Sequence, residues 1–187
     1  MKALQLKALL LRVLLPLLVL ISAADATAQM ETLEHQVKAA FLYQFPAYVA
    51  WPASSFADSS SPLVFGMLDA DAVANELSAI SRDNPVSGRT IVVKKIGPED
   101  SIAGLHVLFV GQSATSASEP LLLQALAEGI LTITEAPAQR PDGSVINFAI
   151  IDDRVRFDVS LAMAERAGLT ISARLLQVAR SVIEPNP

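Results

Sequence analysis

No cysteine occurs anywhere in the 187 residues. That excludes disulfides, thiolate nucleophiles, Cys-ligated metals and a lipid-modified N-terminal cysteine. Also missing are a glycine-rich phosphate loop, a zinc-binding helix motif and a basic patch interleaved with aromatics. No serine sits in a Gly-x-Ser-x-Gly elbow, because Gly111-Gln112-Ser113 lacks the second glycine. There is no internal repeat and no low-complexity tract. No apolar run is long enough for a bilayer either. The stretch from Val13 to about Ala24 contains Pro16 and is far shorter than the ~20 residues a spanning helix needs.

That short run belongs instead to a three-part leader. Lys2 and Lys7 precede it, and Ala26-Thr27-Ala28 follows as a small-residue cleavage site, the pattern of a secretory signal peptide. Residues 1–28 are expected to be removed between Ala28 and Gln29, with cleavage after Ala26 as the second choice. Export takes the chain away from ATP, NAD(P)H and cytosolic nucleotides, which argues against most cofactor enzymes, and no cofactor is expected. With no lipid attachment point, the product is expected to be soluble and not inserted in the membrane. Residues 29–187 form a single expected domain of ordinary size. Without Lys2, Lys7, Arg12 and Asp25 the chain keeps 11 basic and 18 acidic side chains, a net charge of about −7. An acidic surface of this kind argues against nucleic acid or anionic lipid as a partner.

Leu33, Val37, Phe41 and Phe45 recur every four residues, with Ala40 and Tyr48 on the same face. This predicts an amphipathic helix from about Glu31 to Ala50, kinked or ended by Pro46 and stopped by Trp51-Pro52. Strands are expected at Leu63–Leu68, Thr90–Ile96, Leu105–Val110 and Ile130–Thr134, the third so apolar that both its faces should be covered. A helix with apolar positions Val73, Leu77 and Ile80 follows the first of these, capped by Asp69 or Asp71, and another is expected at Glu119–Glu128, stopped by Gly129. Val145–Ile151 and Arg154–Val159 are separated only by Asp152-Asp153, which forces an antiparallel hairpin. A short helix at Leu161–Ala167 ends at Gly168, and a last one, capped by Thr170 or Ser172, carries Leu175, Leu176, Ala179, Val182 and Ile183. The expected fold is a three-layer α/β sandwich: a mixed sheet of about six strands flanked by helices, with the hairpin at or near its end.

Catalytic chemistry finds little footing, and no catalytic or metal-binding residue is expected. His106 lies inside the most hydrophobic strand with no adjacent carboxylate or nucleophile, so a histidine packed against backbone is expected; His35 lies on the polar side of the first helix. Gly111, Gln112 and Ser113 follow a central strand, where open α/β sheets place ligands, and form either a small-molecule crevice or a plain turn. Asp69-x-Asp71 and Asp152-Asp153 lack further ligands at regular spacing and are read as capping and turn residues. Asp69, at a strand end, has the position of a phosphoacceptor, but an exported domain lacks the usual phosphodonor. Phe41, Tyr43, Phe45, Tyr48 and Trp51 crowd half of the ten aromatics into eleven residues. Tyr43 and Trp51 fall off the apolar stripe and are the nominated partner-binding residues, the alternative being that all five pack under the loop.

Several stretches together resemble the YfiR family of exported bacterial proteins. They are Val37-Lys38-Ala39-Ala40-Phe41-Leu42, Phe45-Pro46-Ala47-Tyr48-Val49-Ala50-Trp51-Pro52, Val86-Ser87-Gly88-Arg89-Thr90-Ile91, His106-Val107-Leu108-Phe109-Val110, Arg154-Val155-Arg156-Phe157-Asp158-Val159 and Ala167-Gly168-Leu169-Thr170-Ile171-Ser172-Ala173-Arg174-Leu175-Leu176. The resemblance implies a periplasmic α/β protein with no catalytic residues, acting by binding. In the best-understood form it represses YfiN, an inner-membrane diguanylate cyclase, through that enzyme's periplasmic sensor region. That lowers cyclic di-GMP and holds back biofilm formation. It leaves a homodimer open. Relatives often carry cysteines, one just before the strand histidine where this chain has Leu105, so their redox-sensitive disulfides do not carry over. A small-ligand binding module without a cyclase partner is the alternative, and an exported hydrolase centred on His106 the third reading.

Overall fold

The computed structural model describes residues 29–137 and 139–185, so the expected leader with Ala28 at its cleavage point lies outside the described residues. The chain divides into an N-terminal unit ending at His35 and a main unit from Gln36 onward. In the first unit residues 29–35 are helical, with Met30 and Leu33 exposed. No helix among the described residues is long and apolar enough to cross a membrane.

In the main unit, helix α1 covers residues 36–44 and is ended by Pro46. Proline disfavours helical backbone in the residue before it and lacks an N–H to continue the ladder. The chain tightens into a 3-10 turn at Phe45–Tyr48 and becomes extended as β1 (Val49–Ala50), so the expected helix stops six residues early. Its buried face also differs from the expected stripe. Ala39, Leu42 and Phe45 are buried, Ala40 is exposed, and Phe41 and Tyr48 are half-buried. The cause is Lys38, a buried lysine whose ammonium meets Glu135 at 2.5 Å. A charged residue on the inward face hides that face from an apolar count.

Next come β2 (Leu63–Leu68), α2 (Asp71–Ser81), β3 (Ile91–Ile96) and β4 (Val107–Val110). They are followed by α3 (Gln112–Thr115), α4 (Glu119–Ala127), β5 (Leu131–Glu135), β6 (Ile146–Ile151) and β7 (Arg154–Ser160). The chain closes with α5 (Leu161–Arg166), β8 (Thr170–Ile171), α6 (Ala173–Val178) and β9 (Ser181–Ile183). Seven strands form one mixed sheet in the order β3-β2-β4-β5-β6-β7-β9, while β1 and β8 pair separately as an antiparallel ribbon. β3, β2, β4, β5 and β6 run parallel, β7 is antiparallel to β6, and β9 is parallel to β7. From β2 the chain crosses to β3 on one side, and from β4 to β5 on the other. Right-handed crossovers in opposite directions put their helices on opposite faces. Phe65, Met67, Val107 and Phe109 accordingly pack with Leu42, Phe45 and Leu77, whereas Val64, Leu68, Leu108 and Val110 pack with Leu122 and Ala125. This is the expected α/β sandwich.

The hairpin turn is as expected: Asp152 and Asp153 both adopt positive φ, 49° and 55°, as a two-residue turn matched to strand twist requires. The C-terminus is not. The expected last helix stops at Val178, Ala179 is extended, and Ser181–Ile183 adds a seventh strand beside β7. The Arg180 N–H donates to the Phe157 carbonyl at 2.8 Å. Its guanidinium grips Asp158 through Nε (2.8 Å to Oδ1) and Nη2. Helical spacing could not reveal that an open sheet edge and a buried carboxylate were waiting there. The helix caps are mixed: α6 starts from Ser172, one of its two expected caps, though without a side-chain cap bond, whereas α2 starts from Ala70, between Asp69 and Asp71.

Candidate functional site

Where α1 ends, the 3-10 turn and β1 carry the chain outward, and the loop after Trp51-Pro52 folds back across the N-terminal ends of β2 and β4. Phe56 from this loop lies flat on His106, with ring centroids 4.4 Å apart and planes 11° from parallel. The Trp51 ring meets Phe56 edge-on at 6.2 Å. The Arg89 guanidinium stacks 3.8 Å from the Phe56 centroid, a cation–π contact. Pro46, Val49, Leu63 and Val86 close the apolar side of this shelf. With Trp51, Phe56, Ser87 and Arg89 they line a pocket of about 170 Å³.

His106 is nearly sealed. Its Nδ1 accepts from the Val64 N–H at 3.1 Å, which leaves the proton on Nε2 to donate to the Ser55 carbonyl at 3.0 Å. Burial pushes its pKa below the ordinary 6.5, the Ser55 bond opposes that, and Arg89 adds to the lowering. The ring is a neutral pin between two strands and a loop, with both nitrogens committed to main chain. Sequence reasoning singled out neither Phe56 nor Arg89 as site residues. The available signal was the Ser87-Gly88 turn, which aims the next residue back over the loop.

The second location is the edge where the sheet's crossovers diverge. Asp69 ends β2 with φ of 51°, and Gly111 ends β4. A Cβ on Gly111 would overlap the Asp69 carbonyl oxygen, so only glycine allows this approach. Ser113 Oγ donates to the Asp69 carboxylate, and Thr115 Oγ1 bonds the carbonyls of Gly111 (2.9 Å) and Glu135 (3.1 Å). Gly111 is the extended N-cap of the short helix that Gln112 and Ser113 begin, at the divergence point, with Asp69 beside them. Asp71 does not converge there. It pairs with Lys95 at 3.3 Å on the surface. Asp152 and Asp153 lie in the distant hairpin turn.

Of the crowded aromatics, Phe41 and Phe45 build a ring cluster with Phe148 and Phe157, centroids 5.0–6.0 Å apart. Tyr43 and Trp51, the nominated partner residues, are both half-buried and pack against the core, and the Trp51 indole N–H has no acceptor among the described residues. His35 falls in the helical residues of the N-terminal unit.

No curated protein matches this chain. The pattern of the YfiR/HmsC-like proteins, by contrast, matches residues 35–180, which takes in the aromatic exit of α1, the Arg89 turn, His106 and six of the sheet's seven strands. The chain belongs to the YfiR/HmsC-like family.

Proposed function

We propose that this protein is an exported periplasmic regulator that binds, and so inhibits, a membrane diguanylate cyclase through the cyclase's periplasmic region, lowering cyclic di-GMP. The carrying observation is membership of the YfiR/HmsC-like family across nearly the whole main unit. The side chains support a binding role over catalysis. His106 spends both ring nitrogens on backbone, Asp158 is held by Arg180, and Lys38 by Glu135, so the ionisable groups in the interior serve structure. The half-buried rings of Tyr43 and Trp51 at the exit of α1 support that segment as the partner surface. Aromatic anchors of this type commonly contribute about 2 kcal/mol or more to an interface.

The test is capture from solubilised envelope with the exported protein as bait, followed by the activity of any recovered cyclase with and without it. Recovery of a diguanylate cyclase whose activity falls on addition supports the reading. A folded bait that recovers none overturns it. Replacing Tyr43 and Trp51 with Ala should weaken capture at least tenfold; unchanged capture by the folded variant removes that surface from consideration.

A further inference from the structure

The pocket beneath Trp51 carries a cation with an unused face. Arg89 spends Nη1 on two main-chain carbonyls, Asp58 at 2.9 Å and Ser61 at 2.7 Å. Its Nε and Nη2 bond nothing, and no carboxylate pairs with it, among the described residues. Elsewhere in this chain that same guanidinium edge takes a carboxylate: Arg180 binds both oxygens of Asp158 through Nε and Nη2. This fork is the favoured geometry for carboxylate recognition. The structure holds the fork firmly in place. Val86 and Arg89 exchange two backbone hydrogen bonds of 2.9 Å across Ser87 and Gly88, both at positive φ (51° and 79°). A non-glycine residue kept in that region marks a turn held against its own preference. Phe56 braces the guanidinium from below.

The same pocket is also lined by hydrocarbon from Pro46, Val49, Leu63 and Val86. A ligand matching both halves has one carboxylate and a compact apolar body. At the packing density of protein interiors, about 170 Å³ is filled by roughly six to eight non-hydrogen atoms. The geometry points to a binding site for a short, branched monocarboxylic acid, its carboxylate on the Nε–Nη2 edge of Arg89 and its alkyl end against Val49, Leu63 and Val86. The small volume favours a free acid over the terminus of a polypeptide. The site shares Trp51 with the proposed partner surface, but the titration below reads ligand binding on the purified protein alone, so its failure is distinguishable from a failure of the cyclase reading.

Trp51 lines this pocket and is the chain's one tryptophan, so its intrinsic fluorescence reports occupancy directly. The purified protein is titrated with 3-methylbutanoate, with 3-methylbutanamide (same shape, no charge) and with N-acetyl-leucine as a stand-in for a peptide terminus. The expected result is a saturable fluorescence change with the acid. Binding of the amide should be weaker by about tenfold or more, as loss of a charge-assisted fork predicts. An Arg89→Lys variant, which keeps the charge but not the fork, should weaken the acid more than the amide and so narrow the difference between them. Equal affinities of acid and amide for the unaltered protein, or no saturable response to the acid, would overturn the assignment. That comparison needs no variant to fold. Tighter binding of N-acetyl-leucine than of 3-methylbutanoate would also overturn it, reassigning the pocket to a chain terminus.

Discussion

Phe45, in the turn that ends α1, packs this end of the helix onto the sheet, and its truncation tests the account of the core. The side chain is 1 % exposed and touches three other rings: Phe157 edge-on at 5.0 Å, Phe148 at 5.7 Å and Phe41 at 5.8 Å. Removing the ring forfeits a transfer free energy of about 2–3 kcal/mol. It also leaves a cavity that Phe148 and Phe157, themselves locked in the sheet, are poorly placed to fill. Phe45→Ala should therefore cost about 3–5 kcal/mol, a large part of the ~5–15 kcal/mol that holds a typical domain together. Phe45→Leu keeps most of the volume and loses mainly the ring-on-ring contacts, so about 1–1.5 kcal/mol is expected. Urea denaturation followed by circular dichroism gives both values from the midpoints, provided the slope is unchanged. A cost below about 1 kcal/mol for Phe45→Ala, or equal costs for the two variants, would refute the reading that α1 is held by this cluster.

Three further outcomes follow from the same structure. Arg180→Ala removes both bonds to Asp158, which is 6 % exposed, but the arginine side chain is 43 % exposed and admits water. The expected cost is therefore about 2 kcal/mol, below that of a fully buried pair, with faster hydrogen exchange along β9; unchanged exchange there would show that the pair does not hold the strand. For His106 the folded-state pKa lies below the unfolded value, so the unfolded chain takes up the proton first. Stability should be complete above the ordinary value of 6.5 and decline as pH falls below it. A folded His106→Gln variant that declines just as steeply between pH 7.5 and 5.5 would assign the loss to other groups. Gly111→Ala should cost about 2 kcal/mol or more, because the new methyl meets main-chain oxygen and not a movable side chain. A melting temperature equal to wild type would show that the Asp69 approach is loose.

Local features were readable along the chain wherever one residue suffices to dictate geometry. Pro46 ended α1, Asp152-Asp153 folded the hairpin, and Gly129 and Gly168, at φ of 73° and 68°, stopped the helices before them. His106 was readable as a main-chain pin because an apolar strand offers a histidine no other partners. Lys38 was not readable. Its burial depends on Glu135, 97 residues away, and a lysine in an amphipathic pattern counts as solvent-facing until that partner is known. The Arg89 fork was missed for a related reason: its two carbonyl partners come from an irregular loop whose path no periodicity encodes.

Hydrophobic alternation, helical spacing and turn residues act over a few neighbours, so by itself the sequence determined the α/β class, the position of six of the seven sheet strands and the hairpin. Tertiary structure alone decided the seventh. Residues 181–183 have apolar spacing that suits a helix, yet Asp158 and the open edge of β7 supply an ion pair and unpaired backbone groups that only an extended segment satisfies. Tertiary structure alone likewise assembled the pocket, because its lining comes from residues 46 to 89, brought together by strand pairing and not by any pattern local to one segment.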